Sequence, residues 1–197
     1  MSTLLSRLEH VSSKATGRYK EVVDSFLSFY ARNGRLTPSQ ESYFENIESN
    51  FSSDEIERRK KWKQGYSSSH RDVAIKCAHY YNTTMYFRSL VNLILADPEG
   101  HFLTEKQFNK MCNNKYSLKI LKEYNTPPAF EAGQFVKTRA KNSLSLPRDT
   151  PAVILQVNAA PITKARKGAR VYSILPVGGT STYLALESEL KRGATRR

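Results

Sequence analysis

The N-terminal part of the chain places apolar residues at the spacing of amphipathic helices. Along the first such stretch they recur at steps of four, three and one, as in Val22, Phe26, Phe29 and Tyr30. Asn33-Gly34 ends this stretch, and Thr37, Pro38 and Gln40 then supply an N-cap, a first helical position and the partner of a capping box. The pattern predicts a helical hairpin over residues 18–50.

A second stretch repeats this arrangement further along the chain. Residues 85–95 form an apolar helical segment, residues 97–100 form a turn, and the Leu-Thr-x-x-Gln helix start recurs over residues 103–107. The two hairpins are either related copies or independent uses of the capping box, which is a common motif.

The segment between the two hairpins is strongly basic. We predict a helix that begins at Ser53 and ends in the basic cluster 58–63. Cations are favourable at the C-terminal end of a helix because of the macrodipole, so this cluster can be explained without a bound ligand. Trp62, inside the cluster, fits a core anchor better than a ligand contact. Gly65 and a serine run then predict a break, and Ser69 predicts the cap of a further helix.

After Thr126-Pro127-Pro128 the helical period gives way to β-branched, alternating sequence with glycine punctuation. Four strands are predicted, at Gln134–Arg139, Ala152–Val157, Ala169–Leu175 and Tyr183–Leu186, with a hairpin turn at Gly178-Gly179. Four or five short strands bury little as an open sheet, and closure into a barrel removes the exposed edges.

The predicted fold class is therefore α+β: N-terminal helical hairpins or a bundle (residues 1–125), then a small β-barrel (129–192) and a basic tail (193–197). Three spacings in the barrel segment resemble those of the SH3-like barrels of transcription and translation proteins. They are Phe130-x-x-Gly133-x-x-Val136, Lys167-Gly168-x-x-Val171-Tyr172 and Glu187-x-x-Leu190. The resemblance implies an SH3-like barrel.

A further resemblance covers the whole chain. Gly34-Arg35-Leu36-Thr37-Pro38-x-Gln40, together with the basic barrel segment, is similar to uncharacterised proteins of large tailed bacteriophages. The resemblance implies the cytoplasm of an infected host cell as the location, and it implies no particular activity.

Charge distribution points to a polyanionic partner. The formal net charge is +13 and the pI is about 9.8. From Ala129 onward there are 12 Lys or Arg against 4 acidic residues, a net charge of +8, whereas the preceding residues carry 19 against 14. A field of this sign concentrates nucleic acid at the surface, although it also serves solubility alone.

The remaining composition favours a cytoplasmic protein. Cys77 and Cys112 are too few for a disulfide framework and are expected to be core thiols in a reducing compartment. No apolar run approaches the length of a membrane span, and residues 1–18 lack the apolar core of a secretion signal.

The principal candidate site is the basic loop between the second and third predicted strands. Lys164, Arg166, Lys167 and Arg170 fall within seven residues there, where a loop projects cations toward phosphates. Further candidate contacts are Arg139 and Lys141 after the first strand, Lys191 and Arg192 leading into the tail with Arg196 and Arg197, and Tyr172 and Tyr183 as stacking faces. The alternative is a solvated basic turn with both tyrosines in the core.

Catalysis and metal binding find little support. Cys77 and His79 are two residues apart, so on a helix they face different ways and cannot act as nucleophile and base. The histidines lack metal-ligand spacing, the carboxylates form no metal-binding arrangement, and Gly178-Gly179-Thr180 is a turn with no lysine to hold phosphate. No cofactor is expected, and a nuclease or hydrolase is the least favoured function.

Two functions remain. The first is a non-enzymatic nucleic-acid-binding accessory protein that uses the basic surface of the barrel, with RNA and DNA both possible. The alternative is a phage interaction module or virion component, whose helical hairpins dock a host or phage protein while the charge only steers encounter.

Overall fold

Eight α-helices precede a five-stranded antiparallel sheet in the computed structural model, which describes residues 3–193 except for the side chains of residues 67 and 68. The helices are α1 (Leu4–Lys14), α2 (Arg18–Asn33), α3 (Pro38–Ser49), α4 (Ser53–Gly65), α5 (Arg71–Asn82), α6 (Arg88–Ala96), α7 (Glu105–Cys112) and α8 (Lys115–Asn125). The strands are β1 (Phe135–Thr138), β2 (Pro151–Val157), β3 (Val171–Pro176), β4 (Tyr183–Leu186) and β5 (Leu190–Arg192). The predicted α+β class is confirmed.

Helices α1 to α4 belong to the first of two compact units, Met1–Gln64. Gly34 ends α2 with a φ of 69°, a left-handed value that glycine adopts readily. Thr37 and Gln40 form the predicted capping box of α3. The helical hairpin predicted over residues 18–50 is therefore confirmed. The core of this unit consists of Leu8, Val11, Val23, Phe26, Leu36, Phe44 and Ile47.

The basic cluster 58–63 lies on α4, where none of the described side chains is fully buried. Arg58 and Arg59 each approach Glu55 at 3.2 Å, and Arg59 also donates to Asn50 Oδ1 at 3.1 Å. Trp62 is half-buried. Part of the positive charge of the cluster is thus offset by groups of the same unit.

The second unit, Gly65–Arg197, contains α5 to α8 and the sheet. Thr104 and Gln107 form a capping box at the start of α7, which confirms the second predicted helix start. A π-helical turn, Tyr66–His70, occupies the place of the predicted break, and α5 begins at Arg71 without a side-chain cap. Ser69 Oγ instead donates to the carbonyl of Gly65 at 3.2 Å.

Helix α6 begins later than the apolar pattern predicts. Met85 and Phe87 have φ angles of 64° and 55°, so the backbone before Arg88 is not helical. Non-glycine residues avoid this left-handed region unless the surrounding structure holds them there. A short strained segment therefore replaces the first turn of the predicted helix.

The sheet has the strand order β4-β3-β2-β1-β5, and all its pairs are antiparallel. The four predicted strands agree with β1 to β4 to within about two residues, and the closing segment around Leu190 forms β5. Within the described residues β4 and β5 are the two edges, with no pairing between them. The buried face is formed by Phe130, Val136, Ala152, Ile154, Tyr172, Ile174, Ala185 and Leu190.

The boundary between the compact units differs from the predicted domain boundary after residue 125. Ile120 of α8 packs against Ile162 and Ala169, which lie in the connection between β2 and β3. Helix α8 therefore shares an apolar core with the sheet and belongs to the same unit. Of the predicted basic tail, residues 194–197 lie outside the described residues.

Candidate functional site

The connection between β2 and β3 alternates between residues that face α8 and residues that face solvent. Ile162 and Ala169 are buried and Ala165 packs beside them, on the core that they share with α8. Lys164, Arg166 and Lys167 are exposed. The inward residues hold the loop on the helix, so the three outward cations project from an anchored segment. We refer to residues 163–168 as the basic loop.

Backbone hydrogen bonds fix both ends of the basic loop. Before it, the Ile162 N–H donates to the hydroxyl of Tyr124 at 2.8 Å. At its end, the N–H groups of Gly168 and the following Ala169 donate to Glu123 Oε1 at 2.8 and 3.2 Å. Glu123 is buried on α8, and its carboxylate is committed to these donors.

Both the backbone conformation and the space around it favour glycine at residue 168. Its φ is 70°, and a Cβ atom there would lie 3.0 Å from Ser188 Cβ. The Ser188 N–H donates to the carbonyl of Gly168 at 3.0 Å. A side chain at residue 168 would therefore strain the backbone and force Ser188 to shift by a few tenths of an ångström.

Arg170 is not an exposed phosphate contact, contrary to the prediction. Its side chain is only 4% exposed, because Nη2 donates to the carbonyls of Glu123 at 2.9 Å and Thr126 at the C-terminal end of α8. Nη1 donates to Asn158 Oδ1 at 2.6 Å. A guanidinium that satisfies the last carbonyls of a helix, where the macrodipole is negative, has a structural role.

The prediction of Tyr172 as a stacking face is also wrong, because this side chain is fully buried and cannot stack on a base. Its hydroxyl donates to Glu187 Oε2 at 2.7 Å, and burial, followed by the hydrogen bond to this carboxylate, raises the pKa of Tyr172. Tyr183 is half-buried and packs against the core of the sheet. Tyr172 therefore offers no stacking face, whereas Tyr183 contributes part of its ring to the core of the sheet.

Arg139 and Lys167 meet at one groove. The groove has a volume of about 400 Å³ and is lined by Ala129, Phe130, Arg139, Lys167, Gly168, Glu187, Ser188 and Leu190. Arg139 is exposed, but its Nε donates to the carbonyl of Leu190 at 2.8 Å, which holds the guanidinium in place. Glu187 already accepts from Tyr172 and from the Ala129 N–H at 3.0 Å. The sequence separates Arg139 from Lys167, and the fold places them on one surface.

The other predicted cations lie apart from this groove. Lys191 forms an ion pair with Asp149 and is only partly exposed. The hydrogen bond to Lys191 is the main reason why the pKa of Asp149 lies below its ordinary value. Lys141 is exposed in the loop after β1, and Arg192 lines a different groove beside Glu131. Lys191 is therefore partly neutralised, whereas Lys141 and Arg192 remain peripheral.

Sequence reasoning missed the acidic anchors and an aromatic surface. Glu123, Glu187 and Glu189 are buried or half-buried acceptors, a role that the sequence analysis assigns to none of them. The aromatic surface involves Tyr80-Tyr81 and Tyr86-Phe87, whose clustering in the sequence is the signal that could have found it.

The cysteines are core thiols, as predicted. Cys77 and Cys112 are both fully buried, and hydrogen bonding between the two thiols is the main cause that lowers the pKa of Cys77 and raises that of Cys112. In residues 3–193, no three His, Cys, Asp or Glu side chains are grouped so that they could hold a metal ion. No helix in the same span combines the length and apolar character needed to cross a bilayer.

Comparison of the chain with protein-family models, with curated proteins and with solved structures gives no match. The assignment of a function therefore depends on the geometry and charge of the surfaces described above.

Proposed function

We propose that this chain is a non-enzymatic nucleic-acid-binding protein that contacts phosphates through Lys164, Arg166 and Lys167 of the basic loop and through Arg139. The observation that carries the proposal is the anchoring of the loop. Glu123 and the apolar contacts with α8 fix the loop backbone, while the three cations remain exposed. A pre-ordered loop loses little backbone freedom on binding, so charge contacts there favour binding more than those on a segment that has to be ordered first.

We also propose that the sheet is an SH3-like barrel. Support comes from the strand order, in which β1 to β4 form a meander and β5 returns to pair with β1. Lys167 of the β2–β3 connection and Ser188 of the segment before β5 line the same groove. The basic loop and Arg139 then form one continuous phosphate-binding surface.

The proposal is tested by the salt dependence of binding. Affinity for a fluorescent oligonucleotide is measured by anisotropy at several salt concentrations for the wild type and for the triple variant Lys164→Gln/Arg166→Gln/Lys167→Gln. Each lost phosphate contact lowers the slope of log affinity against log salt by about 0.9 for duplex and about 0.7 for single strands. The triple variant is therefore expected to lose about two to three units of slope.

A matched control removes the same charge elsewhere. Lys60→Gln/Lys61→Gln/Lys106→Gln also removes three exposed cations, and its slope is expected to stay close to that of the wild type. If both triple variants lose affinity equally, the basic loop is not the binding surface. If the wild type shows no salt-dependent affinity, and a protein partner instead remains bound after nuclease treatment, nucleic-acid binding is refuted in favour of protein docking.

A further inference from the structure

A second groove in the same unit is lined by aromatic rings. It lies among α5, the strained segment before α6, and the α7–α8 junction, and its volume is about 690 Å³. The lining residues are Tyr80, Tyr81, Tyr86, Phe87, Lys110, Asn114, Lys115 and Tyr116. We refer to it as the tyrosine groove. It is separate in sequence from every residue of the proposed phosphate-binding surface.

The floor of the tyrosine groove is rigid. Tyr81 is only 4% exposed, and its hydroxyl donates to Asn114 Oδ1 at 2.9 Å. Its ring makes edge contacts with the rings of Tyr80 and Phe87, each with a centroid separation of 4.9 Å. These contacts give the groove a preformed aromatic base that a ligand does not have to order.

The rim offers rings to solvent. Tyr86 is 71% exposed and Tyr116 is 46% exposed. Tyr86 lies between Met85 and Phe87, whose φ angles are 64° and 55°. The left-handed backbone on both sides interrupts the helical pattern at this point, and Tyr86 is left in solvent. Exposing a large ring on a strained segment is unfavourable for folding alone, which makes this segment a candidate for binding.

The charge of the tyrosine groove selects the class of ligand. Lys110 and Lys115 are exposed, and Lys115 Nζ lies 5.0 Å from the centroid of the Tyr116 ring. None of the eight described residues that line the groove is acidic. A matching ligand therefore carries a flat ring together with a negative charge, and a nucleotide unit, with its base and phosphate, combines the two.

We propose that the tyrosine groove binds unpaired bases of single-stranded nucleic acid, which stack on Tyr86 and Tyr116 while the adjacent phosphates contact Lys110 and Lys115. This inference rests on the proposed function and extends it, because it specifies the strand state of the ligand. Bases in a duplex are already stacked on one another and do not reach these rings. Stacking is tolerant of sequence, so the preference concerns unpaired structure and not a particular base.

The test compares single-stranded and duplex probes with the full chain. Binding to a labelled oligothymidylate of about 16 nucleotides and to a duplex of the same length is measured for the wild type and for Tyr86→Ser/Tyr116→Ser. The double variant is expected to bind the single strand about tenfold or more weakly, with duplex binding unchanged. The variant Tyr86→Phe/Tyr116→Phe keeps both rings and is expected to restore single-strand binding.

Tyr43→Ser is the matched control, because Tyr43 is 47% exposed on α3 in the other unit. It is expected to bind both probes as the wild type does. Circular dichroism of each variant verifies that it is folded before binding is compared.

The outcomes separate the two proposals. If the wild type binds neither probe, the proposed function fails. If the wild type binds and the triple variant of the basic loop weakens both probes, while Tyr86→Ser/Tyr116→Ser changes neither, only the tyrosine groove is refuted. Equal weakening of both probes by the serine variant also overturns base stacking. Oligoglutamate is also tested as a competitor of the labelled single strand. If it displaces the single strand from the wild type but not from Tyr86→Ser/Tyr116→Ser, the tyrosine groove binds an acidic protein segment instead, and base stacking is refuted.

Discussion

Replacing Arg170 separates its structural role from the phosphate contact that its position in the sequence suggested. In Arg170→Gln, the shorter neutral side chain leaves the carbonyls of Glu123 and Thr126 without their buried donor. It also removes the positive charge that lies 3.9 Å from Glu187. The variant is therefore expected to lower the free energy of unfolding of the second unit while leaving the exposed basic loop unchanged.

The expected magnitude follows from the burial of the guanidinium. Hydrogen bonds to charged groups contribute about 1.5–3 kcal/mol each, and removing one partner of a buried charged set costs about 3–5 kcal/mol. These contributions are not additive, so we expect a loss of about 3–5 kcal/mol in total. For a protein of this size each kcal/mol corresponds to about 2–4 °C in Tm, which predicts a decrease of about 6–20 °C.

Arg166→Gln is the matched control, because it makes the same substitution four residues earlier at an exposed position. It is expected to change the free energy of unfolding by no more than about 0.5 kcal/mol. Urea unfolding followed by far-ultraviolet circular dichroism measures both variants. A loss of less than about 1 kcal/mol in Arg170→Gln would contradict a structural role for the guanidinium, because it is below the value of one such hydrogen bond.

Two further predictions concern titratable groups. Arg7 donates two hydrogen bonds to Glu48, at 2.5 and 2.9 Å, and these hold the pKa of Glu48 below its ordinary value. The pair therefore stabilises the folded protein above about pH 4.3, and this contribution is lost as pH falls through the lowered pKa. The advantage of the wild type over Arg7→Gln in urea unfolding should therefore shrink below pH 4, and an advantage that is constant with pH would contradict this. Cys77 and Cys112 are fully buried, so a thiol reagent should label neither until denaturant unfolds the second unit, and rapid labelling of the native protein would show that the site opens locally.

The helices and strands could be predicted well where the determinants are local. Gly34 ends α2, and Thr37 caps α3 because its side-chain oxygen accepts a hydrogen bond from the N–H of Gln40, three residues ahead. The strands follow from alternation and from the glycine turn at Gly178, whose φ is 80°. Such signals lie within a few residues of the structure that they specify, so a single sequence contains them.

The sequence-based predictions fail where contacts between residues far apart in the sequence determine the structure. Arg166 and Arg170 look alike in the sequence, yet one is exposed and the other buried, because α8 ends beside Arg170 and not beside Arg166. Likewise, the left-handed φ angles of Met85 and Phe87 occur at non-glycine residues, so the sequence contains no local signal for them. Local propensity favours continuing the helix there, and only the packed structure overrides it.

The bond between Arg170 and the end of α8 also affects the order in which the chain can fold during its synthesis. Glu123 leaves the ribosome 47 residues before Arg170, whose guanidinium donates to the Glu123 carbonyl. At about 5–20 residues per second, this interval lasts about 2–9 s. During this interval the last turn of α8 has no buried donor, and for most of it the apolar side of the helix at Ile120 has no Ile162 to cover it. The nascent helix therefore exposes apolar surface, which favours aggregation, until the residues before the third strand emerge.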